Sequence, residues 1–343
     1  MAKKVVTFGE IMLRLGPPGF ERLLQSPMLV ATFGGGEANV AVSVAAFGLE
    51  STYITAVPKH AIGDAVIRAL RAEGVRTDLI VRSGSRLGIY YAETGASQRG
   101  SNVIYDRANS SISEMTPDAV DWAAVFRGVD WYHVTGITPA LGPNGVESTR
   151  RSVAAARAAG ATVSVDLNYR SKLWTEAQAQ PVMGPLMRDV DVVIANEEDL
   201  QSVLGVHVPG TDVTSGQLNI DGFREAAERV TREFGPKMVA ITLRESVSAS
   251  DNGWSAVLWE ANTGTLHRSQ RYDVRLVDRI GGGDSFAGGL IYGLVTGRGP
   301  EAALRFAVAA SALKQTIPGD FNRVTVDEVD RLAGGDASGR VQR

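Results

Sequence analysis

Short apolar runs alternate along the chain with longer segments in which apolar residues recur every three or four positions. The runs at residues 163–167, 190–195 and 238–243 have few polar interruptions, which is typical of strands buried on both faces of a sheet. Residues 146–159 and 223–234 have the spacing of amphipathic helices. This alternation of strands and helices predicts an α/β fold with a mainly parallel sheet.

Two regions depart from the alternation. Residues 87–106 contain two strand-like segments, IYYAET and NVIYD, separated by the polar GASQRGS, and this pattern predicts a hairpin. An earlier region is also strand-like but irregular. We expect a small β lid, inserted from about residues 11–33 and 87–108, over one edge of an α/β body. Body and lid together occupy residues 1–333, and the polar tail at 334–343 is expected to be disordered.

The composition fits a globular protein and argues against several classes of partner. Of 343 residues, 44% are hydrophobic and 21% are charged, and the formal net charge is −3. This balance lacks the basic footprint of a nucleic-acid-binding protein, and no apolar run is long enough to span a membrane. The N-terminal MAKKVVTFGE becomes polar too early for a signal peptide. We therefore expect a cytoplasmic protein without nucleic-acid or membrane partners.

Metal and nucleotide motifs of the common kinds are missing from the sequence. The chain has no cysteine and four scattered histidines, so no dedicated metal cage is expected and a metal would arrive with a ligand. No GxxxxGK[ST] P-loop is present. The glycine run that starts at Gly281 does not continue as GxGxxG, which leaves a nicotinamide-dependent dehydrogenase as a weak alternative.

The segment DRIGGGDSFAGG, residues 278–289, joins a predicted strand at 272–277 to a predicted helix at 285–295. In one interpretation, the N–H groups of glycines 281–283 bind a phosphate at the helix N-terminus. In the other, these glycines form a turn and Asp284 caps the helix, and the segment alone slightly favours the cap. Close packing against a neighbouring element is indicated by three glycines inside the helix, Gly288, Gly289 and Gly293.

A second glycine segment, FGGGEANVAVSVAAFG at residues 33–48, also leads into a predicted helix, at 37–47. Asn39 lies in the first turn of that helix and could face the same kind of helix N-terminus. A turn with a cap is the alternative here as well. Two such junctions, one near each end of the chain, are harder to explain as turns alone.

Polar residues also follow two of the predicted strands. Alternate positions at the end of the strand at 163–167 carry Asp166, Asn168, Arg170 and Lys172. Ligands of open α/β sheets bind at such strand ends, although a solvated strand edge is the alternative. Asn196 ends the next strand, and Asp199 three residues later predicts a helix cap. The cap is favoured by roughly two to one over the alternative, in which both side chains orient a hydrated Mg²⁺ on a nucleotide phosphate.

Taken together and in this order, these segments resemble the ribokinase-like, PfkB-type carbohydrate kinases over nearly the whole chain. The resemblance rests on four motifs: Gly34 and Gly35 with Asn39, IGDAVIRALRAEGV at residues 62–75, Asn196 with Asp199, and D-x-x-G-x-GD-x-F-x-GG at 278–289. It implies a ribokinase-like three-layer α/β/α body with a mainly parallel sheet and a small β-sheet lid, so that residues 1–333 form one kinase domain.

The resemblance implies ATP-dependent phosphoryl transfer to a sugar. Asp284 would take the proton from the sugar hydroxyl, and an anion hole for the γ-phosphoryl group would be formed by Gly281, Gly282 and Gly283. The implied ATP contacts are Asn168, Asn196, Thr242, Arg244, Glu245, Gly281, Gly283 and Asn322. Mg²⁺ would be held through water by Asn196 and Asp199. A monovalent cation stays open as a further cofactor.

Within the family, the likeness is closest to the 2-keto-3-deoxygluconate kinases, whose substrate carries a carboxylate. Arg107 and Arg170 match arginines of that group, and the planar arginine fork suits a carboxylate. Glu10 stands where neutral-sugar members tend to carry aspartate. The implied substrate contacts are Gly34, Gly35, Asn39, Tyr90, Tyr105, Arg107, Arg170 and Asp284. A neutral-sugar kinase of the fructokinase or ribokinase kind is the alternative, and a non-catalytic sugar or nucleotide sensor is a weaker one.

Three departures from the family pattern concern the site. Gly282 replaces the usual alanine, Asp199 replaces the usual glutamate, and LRESVSASDNGW replaces a glycine-rich, lysine-containing turn after Thr242. The resemblance also implies an assembly. Lid strands in this family often pair between subunits, and an exposed sheet edge favours pairing with another chain, so we expect a homodimer or a larger homo-oligomer formed through the lid.

Overall fold

The computed structural model describes residues 2–210 and 219–339. Its strands, numbered in chain order, are β1 (Lys4–Phe8), β2 (Met12–Gly16), β3 (Val30–Gly34), β4 (Glu50–Ile54), β5 (Ala56–Val57), β6 (Val81–Arg82), β7 (Gly88–Glu93), β8 (Asn102–Asp106), β9 (Trp131–Thr135), β10 (Thr162–Asp166), β11 (Val192–Ala195), β12 (Met238–Ser246), β13 (Asp251–Glu260), β14 (Thr265–Arg268) and β15 (Tyr272–Arg275). Its helices are α1 (Gly36–Ala46), α2 (Ala61–Ala72), α3 (Ser111–Glu114), α4 (Trp122–Val125), α5 (Ile137–Ala140), α6 (Pro143–Ala158), α7 (Glu176–Leu186), α8 (Glu197–Leu204), α9 (Ile220–Phe234), α10 (Gly282–Val295), α11 (Pro300–Lys314) and α12 (Val326–Ala333).

Nine strands form one large sheet in the order β14-β13-β12-β11-β10-β9-β1-β4, with β15 paired to β13. All neighbours from β12 to β4 run parallel, whereas β13 pairs antiparallel with β12, β14 and β15. The predicted strands at 163–167, 190–195 and 238–243 correspond to the adjacent central strands β10, β11 and β12. The predicted mainly parallel sheet is therefore confirmed.

Helices cover both faces of this sheet. Along β11, Val193 and Ala195 belong to an apolar cluster on one face, and Val192 and Ile194 belong to a cluster on the other, because successive side chains of a strand point in opposite directions. The first cluster includes residues of α6, α7, α8 and α9. The second includes residues of α1, α10 and α11. The body thus has the predicted three α/β/α layers.

The predicted lid is a separate four-stranded sheet, called here the lid sheet, with the order β3-β2-β7-β8. Its β2–β7 pair is parallel and its other pairs are antiparallel. The β7–β8 turn contacts the β12–β13 turn of the body, where Ser97 N–H donates to Ser250 Oγ (2.9 Å) and Ala249 N–H donates to the Ser97 carbonyl (2.8 Å). Lys172 Nζ donates to the Val103 carbonyl of β8 (3.2 Å). The lid sheet therefore contacts the body on both sides of the cleft between them.

Four helices begin earlier than the sequence predicts, among them α6 at Pro143 and α9 at Ile220, each by three residues. Helix α10 begins at Gly282 rather than at residue 285, because Gly281 takes a left-handed conformation (φ 82°) and stands at the N-cap. Helix α1 begins at Gly36, one residue earlier than expected. In the tail, residues 334–339 are exposed without helix or strand, and 340–343 lie outside the described residues. Among the described helices, none combines the length and the apolar character needed to cross a membrane.

Candidate active site

A cavity of about 450 Å³ lies between the lid sheet and the carboxyl ends of the central strands. The predicted site residues that line it are Gly35, Asn39, Tyr90, Tyr105, Arg107, Asn168, Arg170, Asn196, Asp199, Thr242, Arg244, Gly281, Gly282, Gly283 and Asp284. Three predicted residues do not line it: Gly34, Glu245 and Asn322. Most of the predicted set, drawn from both halves of the sequence, therefore meets at one place.

The two glycine-to-helix junctions meet at the floor of the cavity. Asn39 Nδ2, in the first turns of α1, donates to Asp284 Oδ2 (2.6 Å), and Asn39 Oδ1 accepts the N–H of Gly35 (3.3 Å). Asp284 is the third residue of α10 and makes no capping bond to its own helix. The interpretation of Asp284 as a helix cap is therefore wrong, since Gly281 stands at the N-cap and the carboxylate is held by α1.

The glycine turn presents two free N–H groups. Gly282 N–H donates to the Arg279 carbonyl (3.2 Å), so the prediction that all three glycines offer their N–H groups to a ligand is wrong for Gly282. For Gly281 and Gly283, residues 2–210 and 219–339 supply no acceptor. A side chain at residue 281 would place its Cβ 2.1 Å from the Asp320 carbonyl oxygen, so this position requires glycine on grounds of space as well as of φ.

Asp284 is the carboxylate whose environment is best suited to proton transfer. Burial raises its pKa to about 6, against the lowering effect of the hydrogen bond from Asn39. The carboxylate of Asp320 also raises the pKa, and Arg170 lowers it. A carboxylate with a pKa nearer to neutrality is a stronger base than an ordinary aspartate and is still ionised at pH 7.

Two further carboxylates lie at the strand ends. Asn196 Oδ1 accepts Asp199 N–H (2.8 Å) and Asp199 Oδ2 accepts Asn196 N–H (3.1 Å), which confirms the predicted cap of α8. The other oxygen of Asp199 accepts Tyr169 N–H (2.8 Å), and burial raises the pKa of Asp199 to about 6. Asp166 lines the cavity with its pKa raised well above the usual range, first by burial and then by Asp199 and Asp284.

These strand-end oxygens fit a hydrated cation that arrives with a ligand. The Asp166 carboxylate has no cationic side chain within ion-pair distance among the described residues, and the one hydrogen bond that it accepts there is from Asn168 N–H (3.2 Å). Carboxylate and amide oxygens suit Mg²⁺, which keeps several waters when it binds. Within residues 2–210 and 219–339, no group of three or more His, Cys, Asp or Glu side chains is arranged to hold a metal by itself.

The lid side of the cavity is lined by aromatic rings and a paired arginine. Arg107 donates through Nε (2.8 Å) and Nη2 to Glu10 Oε2, and Ser110 Oγ donates to the other carboxylate oxygen of Glu10 (2.7 Å). The Arg107 guanidinium also lies 5.3 Å from the centre of the Tyr105 ring. Tyr90 donates to Asp320 Oδ2 (2.5 Å). The hydroxyl of Tyr90 is thus already engaged, whereas Arg107 keeps Nη1 available.

The three predicted residues outside the cavity have other partners. Glu245 pairs with Arg271 (2.9 Å) on the outside of the β12–β13 hairpin. Asn322 is buried, and its Oδ1 accepts Val324 N–H (3.1 Å). Neither lines the cavity, and their expected ATP contacts stay predictions. Gly34 packs against Asp320, because an added Cβ would lie 1.9 Å from Asp320 Oδ2, and it shapes the site without lining it.

The sequence comparison decides the family. Residues 2–323 match the family model described as "pfkB family carbohydrate kinase". This chain belongs to the pfkB family of carbohydrate kinases.

This pfkB kinase has relatives that act on keto-deoxy sugar acids. It is 49% identical to a 2-dehydro-3-deoxygluconokinase from Thermotoga maritima, whose crystal structure has a TM-score of 0.93 and covers 97% of this chain and 100% of that chain. It is 35% identical over 340 residues to a 2-dehydro-3-deoxygalactonokinase from Haloferax volcanii, with 98% of this chain and 99% of the relative covered. A more distant E. coli structure with bound ATP and Mg²⁺ shares the fold at 21% identity, with a TM-score of 0.77 over 97% of this chain and 99% of that chain.

Among the charged residues in or beside the cavity that escaped the sequence analysis are Arg279 and Glu37. Arg279 lines the cavity beside the glycine turn, and no described carboxylate pairs with it. Glu37, in the first turn of α1, is buried, and its Oε1 accepts hydrogen bonds from Thr135 N–H and Oγ1 (2.9 and 2.8 Å) and from Thr138 Oγ1 (2.6 Å). Arg279 and Glu37 are both charged residues inside a glycine motif. This position is the feature of the sequence that could have marked them as site residues.

Proposed function

We propose that this kinase transfers the γ-phosphoryl group of ATP to the terminal hydroxyl of 2-keto-3-deoxygluconate (2-dehydro-3-deoxy-D-gluconate). One observation carries the proposal. A carboxylate with a raised pKa, two free backbone N–H groups and two arginines share one cavity under the lid sheet: Asp284, Gly281, Gly283, Arg107 and Arg170. The relatives at 49% and 35% identity phosphorylate keto-deoxy sugar acids according to their names.

Asp284 is the proposed general base. Its carboxylate accepts the proton of the sugar hydroxyl while the hydroxyl oxygen forms a bond to the γ-phosphorus and the bond to the bridging oxygen of ADP breaks. Asn39 holds Oδ2 (2.6 Å), so the other oxygen of the carboxylate remains for the substrate. Phosphoryl transfer depends mainly on alignment and charge stabilisation, and base help of this kind contributes about 10²–10⁴-fold.

The glycine turn is the proposed anion site for the migrating phosphoryl group. The free N–H groups of Gly281 and Gly283 lie at the N-terminus of α10, where the helix dipole adds to their hydrogen bonds. Arg244 and Arg279 line the same region without a described carboxylate partner, and burial together with Arg244 lowers the pKa of Arg279. Two neighbouring arginines that form no ion pair within the described residues suit a polyphosphate, and we propose that they stand in for the lysine-containing turn that this chain lacks.

Mg²⁺ bound with ATP supplies charge neutralisation on the phosphates, and the residues that would hold it, directly or through water, are Asp166, Asn196 and Asp199. Asn168 follows Asp166 with a positive φ of 39°, a conformation that asparagine tolerates better than most residues. With this bend, Asn168 lines the cavity together with both acidic residues.

The two arginines have unequal roles in the proposed recognition of the sugar carboxylate. Arg107 is neutralised by Glu10 and fixed in place, with Nη1 left for the ligand. Arg170 is exposed to the cavity, donates only to the Tyr169 carbonyl (2.8 Å), and has no described carboxylate partner. Arg170 therefore contributes a cation that is not held in an ion pair among the described residues, and Arg107 contributes direction.

A substrate panel tests the proposal. ADP release is measured with 2-keto-3-deoxygluconate, 2-keto-3-deoxygalactonate, fructose and ribose, and we expect the gluconate form to give the highest kcat/KM. The galactonate form is a second candidate because the Haloferax relative carries that name. A preference for fructose or ribose would overturn the assignment of a sugar acid.

Arginine variants distinguish a loss of carboxylate recognition from a general loss of structure. Arg170→Ala should raise KM for the sugar acids by about 10- to 100-fold, the loss of a charged hydrogen bond, with little effect on any neutral sugar that the enzyme accepts. Arg107→Lys is preferred to Arg107→Ala because removal of the cation would leave Glu10 buried and unpaired. Arg224→Ala on α9, away from the cavity, is the matched control.

A further inference from the structure

Lys314, the last residue of α11, has no exposed surface at all. Its Nζ donates to the carbonyl of Asp278 (3.2 Å) and to the carbonyl of Ile280. Among the described residues it forms no ion pair. A buried lysine without a carboxylate contact is rare because the charge loses its hydration, so the position needs a reason beyond packing.

The two carbonyls belong to the loop that leads into the glycine turn. In a planar trans peptide the C=O and the next N–H point in opposite directions. A bond from Lys314 to the Ile280 carbonyl therefore fixes the direction of Gly281 N–H, one of the two free donors. The N–H of Gly283, the other free donor, is fixed in the same way. Ser311 Oγ donates to the Gly282 carbonyl (2.7 Å), and this bond sets the direction of Gly283 N–H.

Two carboxylates beside this loop, Asp278 and Asp320, interact with both Arg14 and Lys314. Arg14 Nη1 lies 2.7 Å from both Asp278 Oδ2 and Asp320 Oδ1. These two carboxylates share one guanidinium, and Lys314 is the second cation near them. Burial lowers the pKa of Lys314, and the carboxylates of Asp278 and Asp320 oppose that shift.

We propose that Lys314 is a built-in monovalent cation: a positioning residue whose ammonium occupies a carbonyl-lined site behind the anion turn and makes a free alkali cation unnecessary. Backbone carbonyl oxygens are ligands that also bind K⁺, so the same pocket without the lysine side chain would suit K⁺ or NH₄⁺. The role in catalysis rests on the proposed function, because it takes the glycine turn to be the phosphoryl site.

The unmodified enzyme gives the first test. Its kcat, KM for ATP and melting temperature are measured in KCl and in choline chloride at equal ionic strength. We expect no difference in any of the three values. Activation by K⁺ of several-fold or more would overturn the proposal, because it would mean that a free cation site exists beside the lysine.

Two variants at the same position give the second test. Lys314→Ala removes the ammonium and leaves space, whereas Lys314→Met removes it and fills the space with an apolar chain. Both should lose about 100-fold in kcat in choline chloride, the scale expected for a misplaced catalytic group. K⁺ or NH₄⁺ should restore most of the loss in Lys314→Ala and none in Lys314→Met. Lys237→Ala, an exposed lysine paired with Asp191, is the control.

The melting temperature keeps this inference separate from the proposed function. Lys314→Ala should melt at a higher temperature in KCl than in choline chloride, while Lys314→Met and the unmodified enzyme should not change. A cation-dependent melting temperature without kinase activity on any sugar would support the cation site and contradict the proposed function. Kinase activity with a Lys314→Ala variant that ignores K⁺ and NH₄⁺ in both measurements would overturn the cation site alone.

Discussion

Asp284 and Asn39 form the polar contact nearest to the proposed chemistry. The 2.6 Å bond between them joins the first turns of α10 and α1 and leaves one carboxylate oxygen for a substrate. The pKa of Asp284 is set by opposing effects, burial that raises it and this hydrogen bond that lowers it. Both effects can be changed separately by single substitutions.

Asp284→Asn should remove the base while keeping the shape of the side chain. We expect kcat to fall by about 10²–10⁴-fold, with KM for ATP nearly unchanged because the glycine turn is untouched. ADP release in a coupled assay measures the effect, and the melting temperature checks the fold. Asp327→Asn, on the surface of α12, is the control. Near-normal turnover in Asp284→Asn would remove the base from the mechanism.

The acid side of the pH profile should report Asp284. A base works when it is deprotonated, so with a pKa of about 6 the value of kcat/KM should be flat above pH 7. Below pH 6 it should fall by about tenfold for each unit. Asn39→Ala removes the hydrogen bond that lowers the pKa, so its profile should fall at higher pH. An unchanged midpoint in that variant would contradict the assignment.

At the scale of elements, the glycines of α10 permit two helices to approach closely. A Cβ at Gly288 would lie 2.5 Å from Ser43 Cβ of α1, and one at Gly293 would lie 2.6 Å from Ala303 of α11. The predicted reason for glycines in this helix, close packing, is therefore confirmed. The contact of α10 with α1 is also what brings Asn39 to Asp284.

Gly288→Ala should destabilise the protein through that contact. The added methyl group overlaps Ser43, and overpacking of this kind lowers the free energy of unfolding by about 1–3 kcal/mol. Urea denaturation measures the change. Gly184→Ala in α7 is the matched control, since its Cβ would meet its nearest neighbour outside the adjacent residues at an ordinary 3.5 Å. Equal stability of the two variants would mean that α1 and α10 adjust freely.

The spacing of apolar residues predicted most of the strands and helices, because this spacing differs between buried strands and amphipathic helices. It misplaced the start of α10, since three glycines carry no helical signal and the left-handed Gly281 is a tertiary requirement set by the Asp320 carbonyl. In the site, the sequence analysis identified residues of the glycine segments and of the strand ends. It did not identify Arg279 or the cluster of Arg14 with Asp320, because their partners lie far away in the sequence and nothing local indicates the pairing.

At the scale of the whole molecule, the lid sheet carries much of the exposed apolar surface. Five of the nine large exposed hydrophobic residues in the described part of the chain lie in it or in its β2–β3 connection: Phe20, Leu24, Met28, Val30 and Ile104. Strands β3 and β8 are also its unpaired edges. Such a surface suits a partner, which supports the proposal of a homodimer formed through the lid.

Ile104→Lys should weaken that assembly. Light scattering at micromolar concentration should give twice the monomer mass for the unmodified protein and a lower mass for the variant, because a charge would be buried at the interface. Leu79→Lys, at an exposed apolar position outside the lid sheet, should leave the mass unchanged. A monomeric unmodified protein would contradict the proposal.

The bond between Asn39 and Asp284 spans 245 residues, and the bond between Arg14 and Asp320 spans 306. During synthesis, Asn39 therefore cannot pair with Asp284 until residue 284 has left the ribosome, and Arg14 cannot pair with Asp320 until residue 320 has. Contacts of such long sequence separation form late and slowly. A nascent fragment that ends before residue 281 lacks the glycine turn and Asp284, so we expect no phosphoryl transfer from it.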